Sequence, residues 1–212
     1  MIHLVEPQWG VALAQSLFTW MQLSPFWSHR MPILADIFIL SYPVYLLAVY
    51  GYGMLLKWRG NKEKWQRYKT SGIYIFVGTV LATVANVLIQ YFFDKARPNV
   101  VLGLADLKHE TILHNFLPSS SFPSDHAAVS MAIAMSSLLR GIQKKDKKYI
   151  RFGIILVIFS LITSFARVTT AVHWITDVIG GMIVGVLIPL LLLNTNIFKR
   201  VETFAKWIGR II

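Results

Sequence analysis

Long uncharged apolar runs constrain the fold of this chain more than any other feature. A helix needs about 20 apolar residues to cross the hydrocarbon core of a bilayer. Inside a bilayer the backbone must satisfy its own hydrogen bonds, which a helix does within one segment. We therefore predict an all-α integral membrane helical bundle with five transmembrane helices, at residues 34–56, 71–93, 124–140, 150–168 and 173–195. The third and fourth are short for a span, which is tolerable where their polar ends face a water-filled cavity.

The segment 9–22 is too short and too polar to be a typical span. Its apolar residues Leu13, Leu17 and Trp20 form one stripe at helical spacing, which predicts an interfacial helix lying on the membrane surface. A sixth transmembrane helix at this segment is the alternative. The tail 197–212 is also amphipathic and basic, and either contact with anionic lipid or an ordinary basic flank explains it.

Basic residues are confined to short clusters, which predicts the orientation. The net charge is +11, and 16 of the 21 Lys and Arg residues fall at 57–69, 140–151 and 199–210. This distribution follows the positive-inside rule and argues against a nucleic acid partner. We expect a multi-pass protein of the cell (inner) membrane, with the N-terminus outside and the clusters in the cytoplasm. The chain has no cysteine, hence no disulfide, and no linker divides residues 1–212, which we predict to form a single domain.

Ionisable side chains stand at the ends of the apolar runs. Arg167, His173 and Asp177 border the last run, and ionisable groups near membrane depth are costly and therefore usually functional. His173 and Asp177 are four residues apart, so on a helix the carboxylate can hold one imidazole N–H and leave the other ring nitrogen free to attack or accept a proton. An interfacial ion pair explains these two residues equally well when they are considered alone. Arg97 and His126 lie at the ends of two other runs, and the orientation predicted above places all five on the outer side.

The order of these motifs resembles the type 2 phosphatidic acid phosphatase superfamily. That family has Lys-x6-Arg-Pro, then Pro-Ser-Gly-His, then Ser-Arg-x5-His-x3-Asp, and the resemblance covers residues 90–177. Three positions depart from the pattern: Gln90 replaces the first Lys, Asp125 replaces the Gly, and Ala166 replaces the Ser. The Pro-Ser-Asp-His form of the second motif is similar to the bacitracin-resistance branch, the undecaprenyl-diphosphate phosphatases.

The resemblance implies a role for each matching residue. His173 would be the nucleophile that becomes a phosphohistidine, and Asp177 would orient it. His126 would protonate the leaving oxygen and then activate water. The groups that would bind the substrate phosphate are Arg97, Arg167 and Ser124. No cofactor and no metal is implied, and His109 and His114 are five residues apart, which does not suit a zinc-binding helix.

Three further residues are assigned to the substrate phosphate site. Gln90 occupies the position of the missing cation, and Lys95 is a candidate to replace it from a place nearer the mouth of the site. The carboxylate of Asp125 would repel a phosphate bound beside it. Three explanations are open: Asp125 pairs with Arg97, it pairs with Lys95, or it binds a donor of a diphosphate substrate. The connection 94–122 either caps the cavity and admits a lipid headgroup, with Phe116 and Phe122 facing the acyl region, or is a plain connector.

We therefore expect a membrane lipid phosphatase with an extracytoplasmic active site that hydrolyses undecaprenyl diphosphate. Phosphatidylglycerol phosphate, phosphatidic acid and a lipid A phosphate are alternative substrates, because the motifs recognise the phosphate rather than the tail. From another class, a non-catalytic lipid-binding or transport protein on the same scaffold draws support from Gln90 and Ala166. Both histidines, both arginines and Asp177 favour the enzyme. The expected partners are the lipid phosphate substrate and the bilayer, and the sequence indicates no oligomeric state.

Overall fold

The structure, a computed structural model, describes residues 1–104 and 120–193 and positions 199, 200, 203, 204 and 207. The predictions made for His109, His114 and Phe116, and for most of the tail, lie outside these residues. The described part is helical apart from one pair of two-residue strands. Its elements are β1 (Ile2–His3), α1 (Gln8–Gln22), α2 (Pro25–Ile37), a 3₁₀ turn (Phe38–Leu40), α3 (Ser41–Trp58), α4 (Lys62–Phe92), β2 (Phe93–Asp94), α5 (Pro98–Val101), α6 (Asp125–Lys144), α7 (Lys147–Thr169) and α8 (Ile175–Leu191).

Helices long and apolar enough to cross a membrane confirm the predicted helical membrane bundle. Among the described residues they are Pro25–Trp58, Lys62–Phe92 and Lys147–Thr169, and α8 is a shorter apolar helix of 17 residues. The first spans 34 residues, more than the predicted 34–56, because α2, the 3₁₀ turn and α3 follow one another without a loop. The segment 9–22 is helical as predicted, while its place in the membrane and the total of five crossings remain predictions.

Helix α6 lies at the centre of the bundle, in contact with α4, α7 and α8. Eleven of its 20 residues are buried, most of them Ala, Ser or Gly. Small side chains allow neighbouring helices to approach closely, and buried hydroxyls find partners there, as in the 2.7 Å contact between the Ser130 and Ser160 oxygens. Because protein rather than lipid surrounds α6, this helix does not need the hydropathy of the outer spans.

Gly181 and Gly185 set the contact between α6 and α8. A Cβ atom added at Gly181 would lie 2.4 Å from the Ser124 carbonyl oxygen, and one at Gly185 would lie 2.6 Å from that of Ala128. The Gly-x3-Gly spacing of these two residues therefore marks close helix packing. This approach holds the start of α8 against the start of α6, where the Ser124 N–H donates to the Asp177 carbonyl at 3.0 Å.

The first testable prediction concerns this contact. Gly181→Ala is expected to lower the free energy of unfolding in detergent by about 2 kcal/mol, because overpacking forces α8 away from α6. Gly51→Ala in α3 is the matched control, since no other group lies within 4 Å of the added Cβ there. Equal stability of the two variants in a denaturation series would contradict the close-contact interpretation.

The two ends of the bundle differ in chemistry. At one end Asp146 caps α7 by accepting from the Lys148 N–H at 3.0 Å, and Arg67 donates to the Lys144 carbonyl at 2.7 Å. These residues belong to two of the predicted cytoplasmic clusters. At the opposite end α4 stops, α6 and α8 begin and α7 stops, so the motif residues meet there.

A short parallel pairing fixes the N-terminal segment at the motif end. Ile2 pairs with Phe93 and His3 with Asp94, and the Leu4 N–H donates to the Asp94 carbonyl at 2.8 Å. The segment therefore runs alongside the chain that leaves α4, directly before Lys95.

Candidate active site

Three connections between helices form the floor of the site. The segment after α4 carries Arg97, the segment before α6 carries Ser124, and the turn between α7 and α8 carries His173. Backbone hydrogen bonds join them: the Asn99 N–H donates to Ala171 at 3.0 Å, and the Ser121 N–H donates to Lys95 at 2.9 Å. The structure thus brings together residues that are far apart in the sequence.

His173 is buried, and its Nδ1 lies near two acceptors. Its Nδ1 lies 3.0 Å from the Ser121 carbonyl oxygen and 3.7 Å from Asp177 Oδ2. A carbonyl oxygen only accepts, so we assign the proton to Nδ1, and Nε2 then carries the lone pair. The predicted direct hydrogen bond to Asp177 is wrong, because 3.7 Å is too long. The nearer acceptor is the backbone of Ser121.

Asp177 is fully buried at the first turn of α8 and accepts from several donors. Its Oδ2 accepts from the Ser121 hydroxyl at 2.7 Å and from the Trp174 N–H at 2.9 Å. Its Oδ1 accepts from Lys95 Nζ at 2.7 Å. Ser121 contacts both His173 and Asp177, so the carboxylate acts on the imidazole through Ser121 as well as through its charge.

The prediction that Lys95 lies near the mouth of the site is wrong. Its side chain is 5% exposed, and Nζ also donates to Glu6 Oε2 and the Thr176 hydroxyl, each at 2.6 Å. An ammonium group has three N–H donors, and these two acceptors with Asp177 account for all of them. The contact with Glu6 of the N-terminal segment directs Lys95 beneath the site. The spacing between Lys95 and Arg97 in the sequence does not reveal this tertiary contact.

Gln90 and Asp125, two of the three departures from the family pattern, contact each other. Gln90 Nε2 donates to Asp125 Oδ1 at 3.0 Å and to the Pro123 carbonyl at 2.9 Å. Asn86, one turn earlier on α4, donates to the same Asp125 oxygen at 2.7 Å. The amide pair is a partner for Asp125 that the sequence analysis did not consider. Gln90 Nε2, which the sequence analysis assigned to the substrate phosphate, thus donates to Asp125 and Pro123 in the structure.

Arg97, Arg167 and Ser124 are buried or half-buried around this floor. Arg97 Nη1 donates to the Val172 carbonyl at 3.4 Å. Burial lowers the pKa of the Arg97 guanidinium, while the charges of Asp125 and Asp177 act in the opposite direction. Arg97 therefore remains a cation at neutral pH, since a guanidinium titrates far above it.

Among the residues assigned to the substrate phosphate, two buried donors have no hydrogen-bond partner within the part of the chain that the structure describes. They are Arg167 Nε, in a side chain that is 3% exposed, and the Ser124 hydroxyl at the start of α6. A buried polar atom without a partner is costly and calls for an explanation. An oxyanion bound between them would satisfy both.

Asp36 is a site residue that the sequence analysis missed. Its Oδ1 lies 2.7 Å from Arg167 Nη1 and 3.7 Å from His126 Nε2, and its side chain is 47% exposed. It is the only charged residue between positions 31 and 56. An ionisable group within a membrane span indicates function, so the sequence itself carried a signal for Asp36. Glu6 and Asn86, by contrast, carry no such signal.

The fold and this site define a membrane-embedded phosphohydrolase. Two guanidinium groups, two imidazoles and a buried carboxylate lie at one end of a helical bundle, and these are the types of group that phosphate binding and phosphoryl transfer require. The family model of the PAP2 superfamily matches residues 71–200 of this chain. The chain belongs to the PAP2 superfamily, and it is a lipid phosphohydrolase of the membrane.

Relatives and a solved structure agree with this assignment. Undecaprenyl-diphosphatase BcrC of Bacillus subtilis (strain 168) is 31% identical over 165 residues, which are 77% of this chain and 76% of that protein. An undecaprenyl-diphosphatase of Sulfolobus acidocaldarius is 28% identical over 145 residues, 66% of this chain and 64% of that protein. These matches confirm the resemblance to the bacitracin-resistance branch. The crystal structure of a transmembrane PAP2-type phosphatidylglycerolphosphate phosphatase from Bacillus subtilis has a TM-score of 0.59, with 23% identity, and covers 94% of this chain and 85% of that one. It supports the fold.

Proposed function

We propose that this lipid phosphatase hydrolyses undecaprenyl diphosphate to undecaprenyl phosphate and inorganic phosphate through a phosphohistidine at His173. The observation that carries the proposal is the hydrogen bond from His173 Nδ1 to Ser121, which assigns the lone pair to Nε2. The two undecaprenyl-diphosphatases similar to this chain support the substrate class.

The reaction proceeds in two balanced steps. In the first, His173 Nε2 attacks the terminal phosphorus, and the bond from that phosphorus to the bridging oxygen breaks. Undecaprenyl phosphate leaves with the bonding electron pair. In the second, water attacks the phosphohistidine while His126 accepts its proton, the P–N bond breaks and phosphate departs.

The anion-binding groups act on the phosphoryl oxygens in both steps. Arg97 and Arg167 present fixed guanidinium donors, which stabilise the charge that develops in the transition state. Ser124 contributes its hydroxyl and the free N–H groups at the start of α6. The Asp36 carboxylate, bound to Arg167 and near His126, stands among these same donors, so we expect the substrate phosphate to displace it.

A substrate panel tests the proposal. Phosphate release by the purified protein is measured with undecaprenyl diphosphate, phosphatidic acid and phosphatidylglycerol phosphate in the same detergent. We expect kcat/KM for the diphosphate to exceed that for the two monoesters by roughly ten-fold or more, because the phosphate leaving group is far less basic than the alkoxide of a monoester. A comparable preference for either monoester would overturn the isoprenyl assignment. No release from any lipid would favour the non-catalytic lipid-binding protein.

The proposed active site faces the extracytoplasmic side of the cell membrane. The chain lacks cysteine, so single cysteines report accessibility without background. A cysteine at the exposed Val5 is expected to react with an impermeant maleimide on intact cells, and one at Lys147 only after lysis. Labelling of both positions from the same side would contradict this orientation.

A further inference from the structure

A buried ionic cluster lies beneath His173 and includes a residue from the N-terminal segment. Lys95 Nζ stands between Glu6 Oε2 at 2.6 Å and Asp177 Oδ1 at 2.7 Å. The side chain of Lys95 is 5% exposed, that of Glu6 is 3% exposed and that of Asp177 is 0% exposed, so solvent does not screen their charges. Thr176 completes the cluster, because its hydroxyl lies 2.6 Å from Lys95 Nζ and 2.5 Å from Glu6 Oε2.

Two features of the chain hold Glu6 in this position. The parallel pairing of Ile2–His3 with Phe93–Asp94 aligns the N-terminal segment with the residues that precede Lys95. Gly10 then leaves room for the carboxylate, since a Cβ at this position would lie 1.9 Å from Glu6 Oε1. The first turn of α1 is therefore shaped around the Glu6 side chain.

The charges of the cluster suit the proposed chemistry. Glu6 and Asp177 carry two negative charges and Lys95 carries one positive charge, which leaves a net charge of −1 below His173. A cationic imidazole forms when His173 is phosphorylated, and a fixed negative charge nearby stabilises it. Without Lys95 two buried carboxylates would remain with no cation, and such a pair favours protonation of one member. Without Glu6, Lys95 would neutralise Asp177 completely.

We propose that Glu6 and Lys95 are positioning residues, which keep Asp177 ionised and fixed so that it and Ser121 hold His173 for attack. The N-terminal segment is then part of the active site. This inference rests on the proposed role of His173 as the nucleophile. It assigns Lys95 to the support of the nucleophile and removes it from the substrate phosphate site.

Four variants test the inference, with phosphate release from undecaprenyl diphosphate resolved into kcat and KM. Lys95→Met is expected to lower kcat roughly 100-fold and Glu6→Gln roughly ten-fold, the scale on which supporting contacts act. KM should change less than three-fold, or about 0.6 kcal/mol, because Arg97, Arg167 and Ser124 are untouched. Glu6→Asp should recover part of the activity lost in Glu6→Gln. Gly10→Ala should lower kcat with no change of charge, because the added methyl displaces Glu6.

Matched controls separate positioning from folding and from the proposed function itself. Glu63→Gln removes an exposed acidic residue of α4 and Gly51→Ala adds a methyl in open space, and both should retain full activity. The double variant Glu6→Gln/Lys95→Met removes one charge of each sign and should be more active than Lys95→Met alone.

The outcomes distinguish the two proposals. If Glu6→Gln and Gly10→Ala melt like wild type and keep its kcat, the inference is wrong, whatever Lys95→Met does. A loss confined to KM would assign the cluster to substrate binding and also overturn it. If His173→Ala remains active, the proposed function fails first.

Discussion

Replacing His173 by alanine is expected to abolish turnover of every lipid substrate. His173 is the proposed nucleophile, and removal of a nucleophile typically lowers kcat by about four orders of magnitude or more. Phosphate release by the purified variant measures the effect. Incubation with substrate labelled in the terminal phosphate should leave labelled protein in wild type and none in the variant.

His29→Ala is the matched control for this experiment. His29 lies in α2, with Nδ1 2.8 Å from the Pro25 carbonyl, and its side chain is not part of the site. Its variant should keep full activity and the same elution profile as wild type. Near-normal activity in His173→Ala would contradict the phosphohistidine mechanism.

The sequence was sufficient for features that depend on local pattern. Apolar runs locate α6, α7, α8 and the end of α4 to within a few residues, because membrane-spanning helices must be apolar and must satisfy their own backbone hydrogen bonds. Helix α4 begins at Lys62, well before the predicted start at residue 71. The predicted spans and orientation placed the motif-bearing ends of these helices on one side, and in the structure these ends lie together.

Features that depend on contacts distant in the chain were missed or wrong. Lys95 and Glu6 are 89 positions apart, and Asp36 and Arg167 are 131 apart. A Lys two residues from a phosphate-binding Arg predicts a second phosphate contact by proximity. In the structure the buried carboxylates of Glu6 and Asp177 attract the Lys95 ammonium group more strongly than solvent would. The side chain therefore points beneath the site and away from the substrate phosphate.

Gln90 and Asp125 show what a comparison with a family pattern leaves out. Each departure taken alone suggests a weaker phosphate site, through a lost cation or an added negative charge. In the structure the amide of Gln90 and that of Asn86 both donate to Asp125 Oδ1. The two substitutions are therefore physically coupled, because an amide donor at position 90 provides a partner for a carboxylate at position 125.

His126→Ala is expected to separate the two steps of the reaction according to the leaving group. A phosphate leaving group is far less basic than the alkoxide released from a phosphate monoester, so it departs without a proton from His126. With undecaprenyl diphosphate the first step should survive, and the second step should fall by about 10²–10⁴-fold because water loses its general base. The variant should release a burst of one equivalent of undecaprenyl phosphate and then stall as the phosphohistidine.

With phosphatidic acid the same variant should show no burst, because the first step itself requires the proton. Rapid-mixing measurement of lipid product against enzyme concentration gives the burst amplitude for each substrate. The double variant His126→Ala/His173→Ala is the control, since without the nucleophile neither substrate can give a burst. Equal losses for the two substrates with no burst from either would show that the first step requires His126 for the diphosphate as well, which would contradict the argument from the basicity of the leaving group. A burst from both would instead show that a residue other than His126 protonates the alkoxide, and Asp36, 3.7 Å from His126 Nε2, would be the first residue to replace.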